Sequence, residues 1–140
     1  MSLRGAGPWA VLQQLPQGLQ FVLVGGAAAA THLAVVGALV ALAGMPPLAA
    51  NVLAFLVAFT VSYTGHARLT FARAQARGWA VAARFFAVAC LSFAANEALY
   101  YVALHWLHWH YFWSLAGVLV LVAVGTFVLS KCWAFKAGAP

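Results

Sequence analysis

The stretch Arg84-Phe-Phe-Ala-Val-Ala-Cys-Leu-Ser-Phe-Ala-Ala-Asn-Glu-Ala-Leu-Tyr-Tyr101 is almost wholly apolar, yet it carries Asn96 and Glu97 side by side. Glu97 is the single acidic residue among 140. It stands thirteen residues beyond the polar edge marked by Arg84, about 20 Å of rise on a helix. That places it well inside a hydrocarbon layer about 30 Å thick. A charge near the centre of such a layer costs about 2.5–3.5 kcal/mol on insertion scales. A chain that spends its one acid there has a use for it. Ser92, Asn96 and Tyr100 are spaced four apart and share a face of the same helix.

Composition says what surrounds this polar stripe. Hydrophobic residues make up 66% of the chain, charged residues 6%, and the mean hydropathy is +0.98. One soluble domain of this length has no core large enough for so much apolar surface, so the chain reads as an integral membrane protein. The net charge is +6, but the basic residues are scattered at segment ends rather than gathered on one face, so nucleic acid is not an expected partner. Cys90 and Cys132 both fall in apolar segments and read as packing residues, not as a disulfide.

Residues 1–17 form a short mixed lead-in, either interfacial or frayed. Residues 18–140 form a single transmembrane domain. Its first apolar run, Leu19 to Ala43, is too long for the core of a signal peptide and reads as a first span. The small residues Gly25, Gly26, Ala29 and Ala30 suit close helix approach, and His32 lies near the middle. Gly44-Met-Pro-Pro47 breaks the helix. A second span runs from Leu48 to about Thr70, with Asn51, Ala58, Ser62 and His66 on roughly one face. A basic loop, 72–78, carries Arg73 and Arg77. A third span covers about Val81 to Leu104. From Ala98 to Ser130 there is no Asp, Glu, Lys or Arg, a stretch too long for one crossing. The turn must therefore fall in His105-Trp-Leu-His-Trp-His-Tyr-Phe-Trp113, whose residue types suit a membrane–water interface. The fourth span runs from Tyr111 to about Trp133.

All seven Arg and Lys residues (Arg4, Arg68, Arg73, Arg77, Arg84, Lys131, Lys136) lie on or near one side of such a four-span chain. The positive-inside rule puts that side, with both termini, in the cytoplasm. The chain divides into two repeats, 18–71 and 79–136, and sliding it by 64 residues overlays the two hairpins without a gap. Phe21 then meets Phe85, Ser62-Tyr63 meets Thr126-Phe127, Phe71 meets Phe135, and His32 meets Asn96. The expected fold is an all-α membrane protein of four transmembrane helices. They would form two helical hairpins that are parallel repeats about an axis near the membrane normal.

Three pieces carry a family resemblance: Phe21-Val-Leu-Val-Gly25, then Asn51…Ser62-Tyr63…Arg68-Leu-Thr-Phe71, then Thr126-Phe-Val-Leu-Ser-Lys-Cys-Trp-Ala-Phe135. With Arg84-Phe85 they resemble the GtrA-like family of small four-helix membrane proteins, over roughly residues 17–136. The resemblance implies movement of polyprenyl-phosphate-linked monosaccharide from the cytoplasmic to the outer leaflet of the inner membrane, for cell-surface polysaccharide glycosylation. The family often has Asn-Arg before the aromatic pair that ends spans two and four. Here those places read His66-Ala67, with Arg68 displaced by one, and Ser130-Lys131.

The residues themselves offer candidate binding groups. Asn96 and Glu97 suit sugar hydroxyls or a proton; the plainer alternative is a polar clasp between helices, about 0.6 kcal/mol on average in membranes. His32 is a candidate partner for Glu97 across the bundle, and equally a packing residue. Arg68, Arg84 and Lys131 end spans on the basic side. Guanidinium groups hold phosphate oxygens in a bidentate fork, although topology and anionic-lipid contact alone would also put them there. Ser62, Ser92 and Asn51 extend the polar path. His105, His108 and His110 read as interfacial belt residues rather than a metal site. No nucleophile–base arrangement, phosphate loop or paired carboxylates appears, so neither an enzyme nor a cofactor is expected. The expected partners are the lipid-linked sugar, membrane lipids, a second copy of the chain in a homodimer, and membrane glycosyltransferases. Two other functions fit the same residues: a structural membrane partner of a glycosyltransferase, and a proton-coupled exporter of small cations acting through Glu97.

Overall fold

A computed structural model describes the backbone over residues 7–70 and 79–134, and the side chains over 7–69, 83 and 86–125. The basic loop 72–78, the side chains of Arg84 and Lys131, and Cys132 lie outside the described side chains. Cys90 is a free thiol.

Every described element is helical. A five-residue helix α1 (Pro8–Leu12) precedes α2 (Gln17–Ala43), α3 (Pro47–Gly65), α4 (Trp79–His105) and α5 (Tyr111–Ala134). A π-helical turn, His66–Thr70, continues α3. Three apolar helices are long enough to cross a membrane, Gln17–Ala43, Pro47–Leu69 and Phe86–His105, and the described apolar part of α5, Tyr111–Gly125, is shorter. The chain is a multi-pass membrane protein. The helix bounds follow the expected spans to within about two residues, with two refinements. The lead-in contains a helix, and the α helix of the second span ends at Gly65 rather than near Thr70.

The helix ends have local causes. Gly44 caps α2 in the left-handed region at φ 64, its N–H donating to the Leu39 carbonyl, and Met45 N–H donates to the same carbonyl at 3.0 Å, the kind of closing bond that satisfies carbonyls at a helix end. Pro47 then opens α3, where its missing N–H costs nothing. The second turn uses the same device. His108 has φ 52, and Trp109 N–H donates to the Ala103 carbonyl at 3.1 Å. This narrows the aromatic turn to five residues, 106–110.

All four long helices contribute to one small core. Val36 from α2, Ala50 and Ala54 from α3, Tyr100 from α4 and Leu115 from α5 are fully buried. The Tyr100 hydroxyl donates to the Tyr111 carbonyl at 3.0 Å, which ties α4 to the start of α5. Rings link α3 to α4: Phe55 stacks on Phe93 at 4.3 Å, and Phe59 meets Phe86 edge-on at 5.1 Å. The outward side chains, such as Leu42, Leu91 and Val120, are exposed and apolar, as lipid contact requires.

The small residues of α3 set how closely it approaches α2. A Cβ on Gly65 would stand 2.7 Å from Val24 Cγ1, so only hydrogen fits there. Overfilling a packed contact costs about 1–3 kcal/mol. Gly65→Ala is expected to destabilise the protein by about 1–2 kcal/mol, and adding Val24→Ala is expected to recover most of it. Unfolding titrations of the two single variants and the double variant in mixed micelles measure the coupling.

Candidate functional site

α2, α3 and α4 each turn polar residues toward one buried point. α2 brings His32, 5% exposed; α3 brings Asn51, fully buried; α4 brings Asn96, 3% exposed, and beside it half-buried Glu97. Asn51 is the hub. Its Nδ2 donates to Asn96 Oδ1 at 2.9 Å and to Glu97 Oε2 at 2.5 Å. Two acceptors on one side fix the orientation of the amide, so Asn51 Oδ1 faces His32 Nε2 at 2.6 Å. That oxygen only accepts, so His32 carries its proton on Nε2. The expected pairing of His32 with Glu97 is therefore indirect, passing through Asn51.

One polar atom in this cluster is left over. Asn96 Nδ2 is buried and has no hydrogen-bond partner among the described residues. An unpaired buried donor costs about 1–3 kcal/mol. The site thus offers a donor at Asn96 and a carboxylate acceptor at Glu97, the two complementary groups that a hydroxyl needs. Among the described residues no group of three His, Cys, Asp or Glu side chains could hold a metal ion.

The other expected site residues are not gathered here. Ser92 lies one turn from Asn96, half-buried, on the same face of α4. Ser62 is half-buried eleven residues along α3 from Asn51, about 16 Å of rise away. Arg68 is seventeen residues from Asn51, about 25 Å along the same axis. The polar stripe therefore divides into a buried network toward the two tight turns and a separate cluster at the opposite end.

That second cluster contains residues the sequence did not single out. The Arg68 guanidinium lies over the Trp9 ring, 5.6 Å from its centroid, and Gln13 Nε2 donates to the Arg68 carbonyl at 3.0 Å. Gln20, 6% exposed, donates to the Leu15 and Gln13 carbonyls at 2.8 and 3.3 Å. His66 is buried with its ring 4.8 Å from that of Phe21. The only sequence signal for this arrangement was the run of glutamines ahead of an apolar helix, which alone does not show what they bind.

These features define a class: a small helical multi-pass membrane protein with a buried polar network and a basic end. A family model described as the GtrA/DPMS transmembrane domain matches residues 20–135, and the chain belongs to that family. No curated protein and no solved structure matches it. The π turn at His66–Thr70, bonded from i to i+5 in place of i to i+4, lies within the matched residues and carries Arg68.

Proposed function

We propose that this protein translocates a polyprenyl-phosphate-linked monosaccharide from the cytoplasmic to the outer leaflet of the inner membrane. Both termini lie in the cytoplasm, and no chemical step is catalysed. Membership of the GtrA/DPMS family supports lipid-linked sugar as the cargo. The observation that carries the proposal is the buried His32–Asn51–Asn96–Glu97 network, with its unpartnered Asn96 Nδ2. A sugar crossing hydrocarbon needs substitutes for the water it leaves, and a buried donor without a partner among the described residues, beside a carboxylate, is such a substitute. Arg68, Arg84 and Lys131 receive the phosphate on the cytoplasmic side. Ser62 and Ser92 extend the path, and α5 completes the fourth crossing. Liposomes containing the purified protein and a polyprenyl-phosphate sugar are expected to expose the sugar to an impermeant external reagent faster than empty liposomes. Equal rates would reject the function.

The two hairpins act as parallel repeats. Supporting this, residues 32 and 96, 36 and 100, 50 and 114, 51 and 115, and 54 and 118 are all buried, and the left-handed turn residues, Gly44 and His108, share the same offset of 64. The working unit is a parallel homodimer. Gly25 and Gly117 each face open space where a Cβ would stand, which leaves backbone free for close contact with a second copy. A mass of twice 14.8 kDa in nanodiscs is the expected result; a monomer that still moves sugar would overturn it.

A further inference from the structure

Four polar residues meet at the buried network. His32, Asn51 and Asn96 can all serve as neutral hydrogen-bonding groups, and only the fourth, Glu97, is an acid. A site that reads hydroxyls alone needs no carboxylate there, because a third amide would accept from them without setting a charge in hydrocarbon. A carboxylate is the group that meets a positive charge. Among the described residues the protein does not supply that charge to Glu97. Arg68 is the only Arg or Lys side chain among them, and it stands about 25 Å along α3 from Asn51. Arg84 lies thirteen residues back on α4, about 20 Å away. His32 is turned to the far side of the Asn51 amide, on its oxygen. Asn51 Nδ2 takes Glu97 Oε2, and Oε1 makes no hydrogen bond among the described residues. Glu97 is also the accessible member, half-buried where Asn96 is 3% exposed. The single donor Asn51 Nδ2 holds both Asn96 Oδ1 and Glu97 Oε2, so the carboxylate and the unpartnered Asn96 Nδ2 are neighbours.

We propose that Glu97 reads a protonated amine on the sugar of the cargo, so that the preferred cargo is an amino sugar whose positive charge crosses paired with the chain's one acid. That the cargo is a lipid-linked sugar rests on the transport function above; the preference for an amine rests on the unbalanced carboxylate. An ammonium donates to Glu97 Oε1 through a charge-assisted hydrogen bond and neutralises the acid. A hydroxyl on the adjacent ring carbon accepts from Asn96 Nδ2 and gives that donor its partner. A neutral hexose satisfies the same hydrogen bonds and leaves the charge unbalanced. A uronic acid sets a second anion beside the first, which disfavours both. Charge at large does not produce this preference, since a chain with a net charge of +6 repels a cation everywhere else.

Native mass spectrometry of the purified protein tests this with three undecaprenyl phosphate lipids, carrying 4-amino-4-deoxyglucose, its N-acetyl derivative or glucose. An amine at that ring position is far from the phosphate and does not pair with it. The three lipids share tail and phosphate, so the comparison isolates the sugar. Wild type is expected to retain the amine about tenfold over the other two, from the greater strength of a hydrogen bond between charged groups. Glu97→Gln is expected to retain all three alike, and Leu121→Trp, on the exposed face of α5, to keep the wild-type preference. Should Glu97→Gln not fold, the wild-type comparison with the N-acetyl derivative, which removes the charge and keeps the nitrogen, decides alone. Equal retention of the three lipids by wild type would overturn the proposal, and so would a preference that survives Glu97→Gln. The same lipids in the liposome assay separate amine recognition from transport. A wild type that moves all three equally fast keeps the transport function and loses the amino sugar. Glu97-dependent retention of the amine by a wild type that moves none of them keeps the amine site and loses the transport.

Discussion

Asn51→Leu is expected to destabilise the protein by about 2–3 kcal/mol and to abolish sugar translocation. Asn51 makes three hydrogen bonds, to His32, Asn96 and Glu97. At the membrane average of about 0.6 kcal/mol each, their loss alone comes to about 2 kcal/mol. Leucine keeps the branching and heavy-atom count of asparagine, so no cavity adds to this. It does, however, leave a buried histidine, an amide and a carboxylate without their shared partner, at about 1–3 kcal/mol for each group that finds no substitute. Water entering beside half-buried Glu97 relieves part of that cost, which sets the total nearer the lower figure. Unfolding titration in mixed micelles gives the stability change, and the liposome assay gives the transport rate. A loss under about 0.5 kcal/mol, below one average bond, would mean that the three bonds do not hold the helices together. Asn51→Asp makes the complementary probe. It keeps an acceptor for His32, removes the donor to both Asn96 and Glu97, and places a second acid beside the first.

Glu97→Gln is expected to slow translocation about 2–30-fold while leaving the fold intact. The amide keeps the size of the carboxylate and an oxygen to accept from Asn51 Nδ2, so the clasp between α3 and α4 survives. What changes is the charge. Hydrogen bonds to charged groups contribute about 1.5–3 kcal/mol, against about 1 for neutral ones, and each 1.36 kcal/mol is a factor of ten in rate. The liposome rate, set beside an unchanged unfolding midpoint, isolates this effect. If Glu97→Gln moves sugar as fast as wild type, the carboxylate is a structural clasp and takes no part in the transport. The same variant separates a cation exporter, in which loss of the charge would remove cation binding itself.

The sequence by itself determined that this is a helical membrane protein, where its long helices start and stop, and which residues are chemically unusual. Those properties are local. Gly44 and Pro47 end and restart a helix through their own backbone chemistry, and an apolar run longer than twenty residues needs no partner to be recognised. Asn51, Asn96 and Glu97 stood out because each breaks an apolar run. Only the tertiary structure decided how they meet. Spacing by four tells which residues share a face of one helix, but it gives neither the rotation of that helix about its axis nor its height against the next. Those are set by side-chain packing: Gly65 seated on Val24, Ala50 and Ala54 in the core with Val36, and the Phe55–Phe93 stack between α3 and α4. This packing puts the Asn51 amide between His32 and Glu97, leaves Asn96 Nδ2 without a partner among the described residues, and sets Arg68 at the far end against Trp9. No periodicity in the first seventeen residues encodes that last contact, because a five-residue helix has no stable face of its own until α2 and α3 provide the surface it covers.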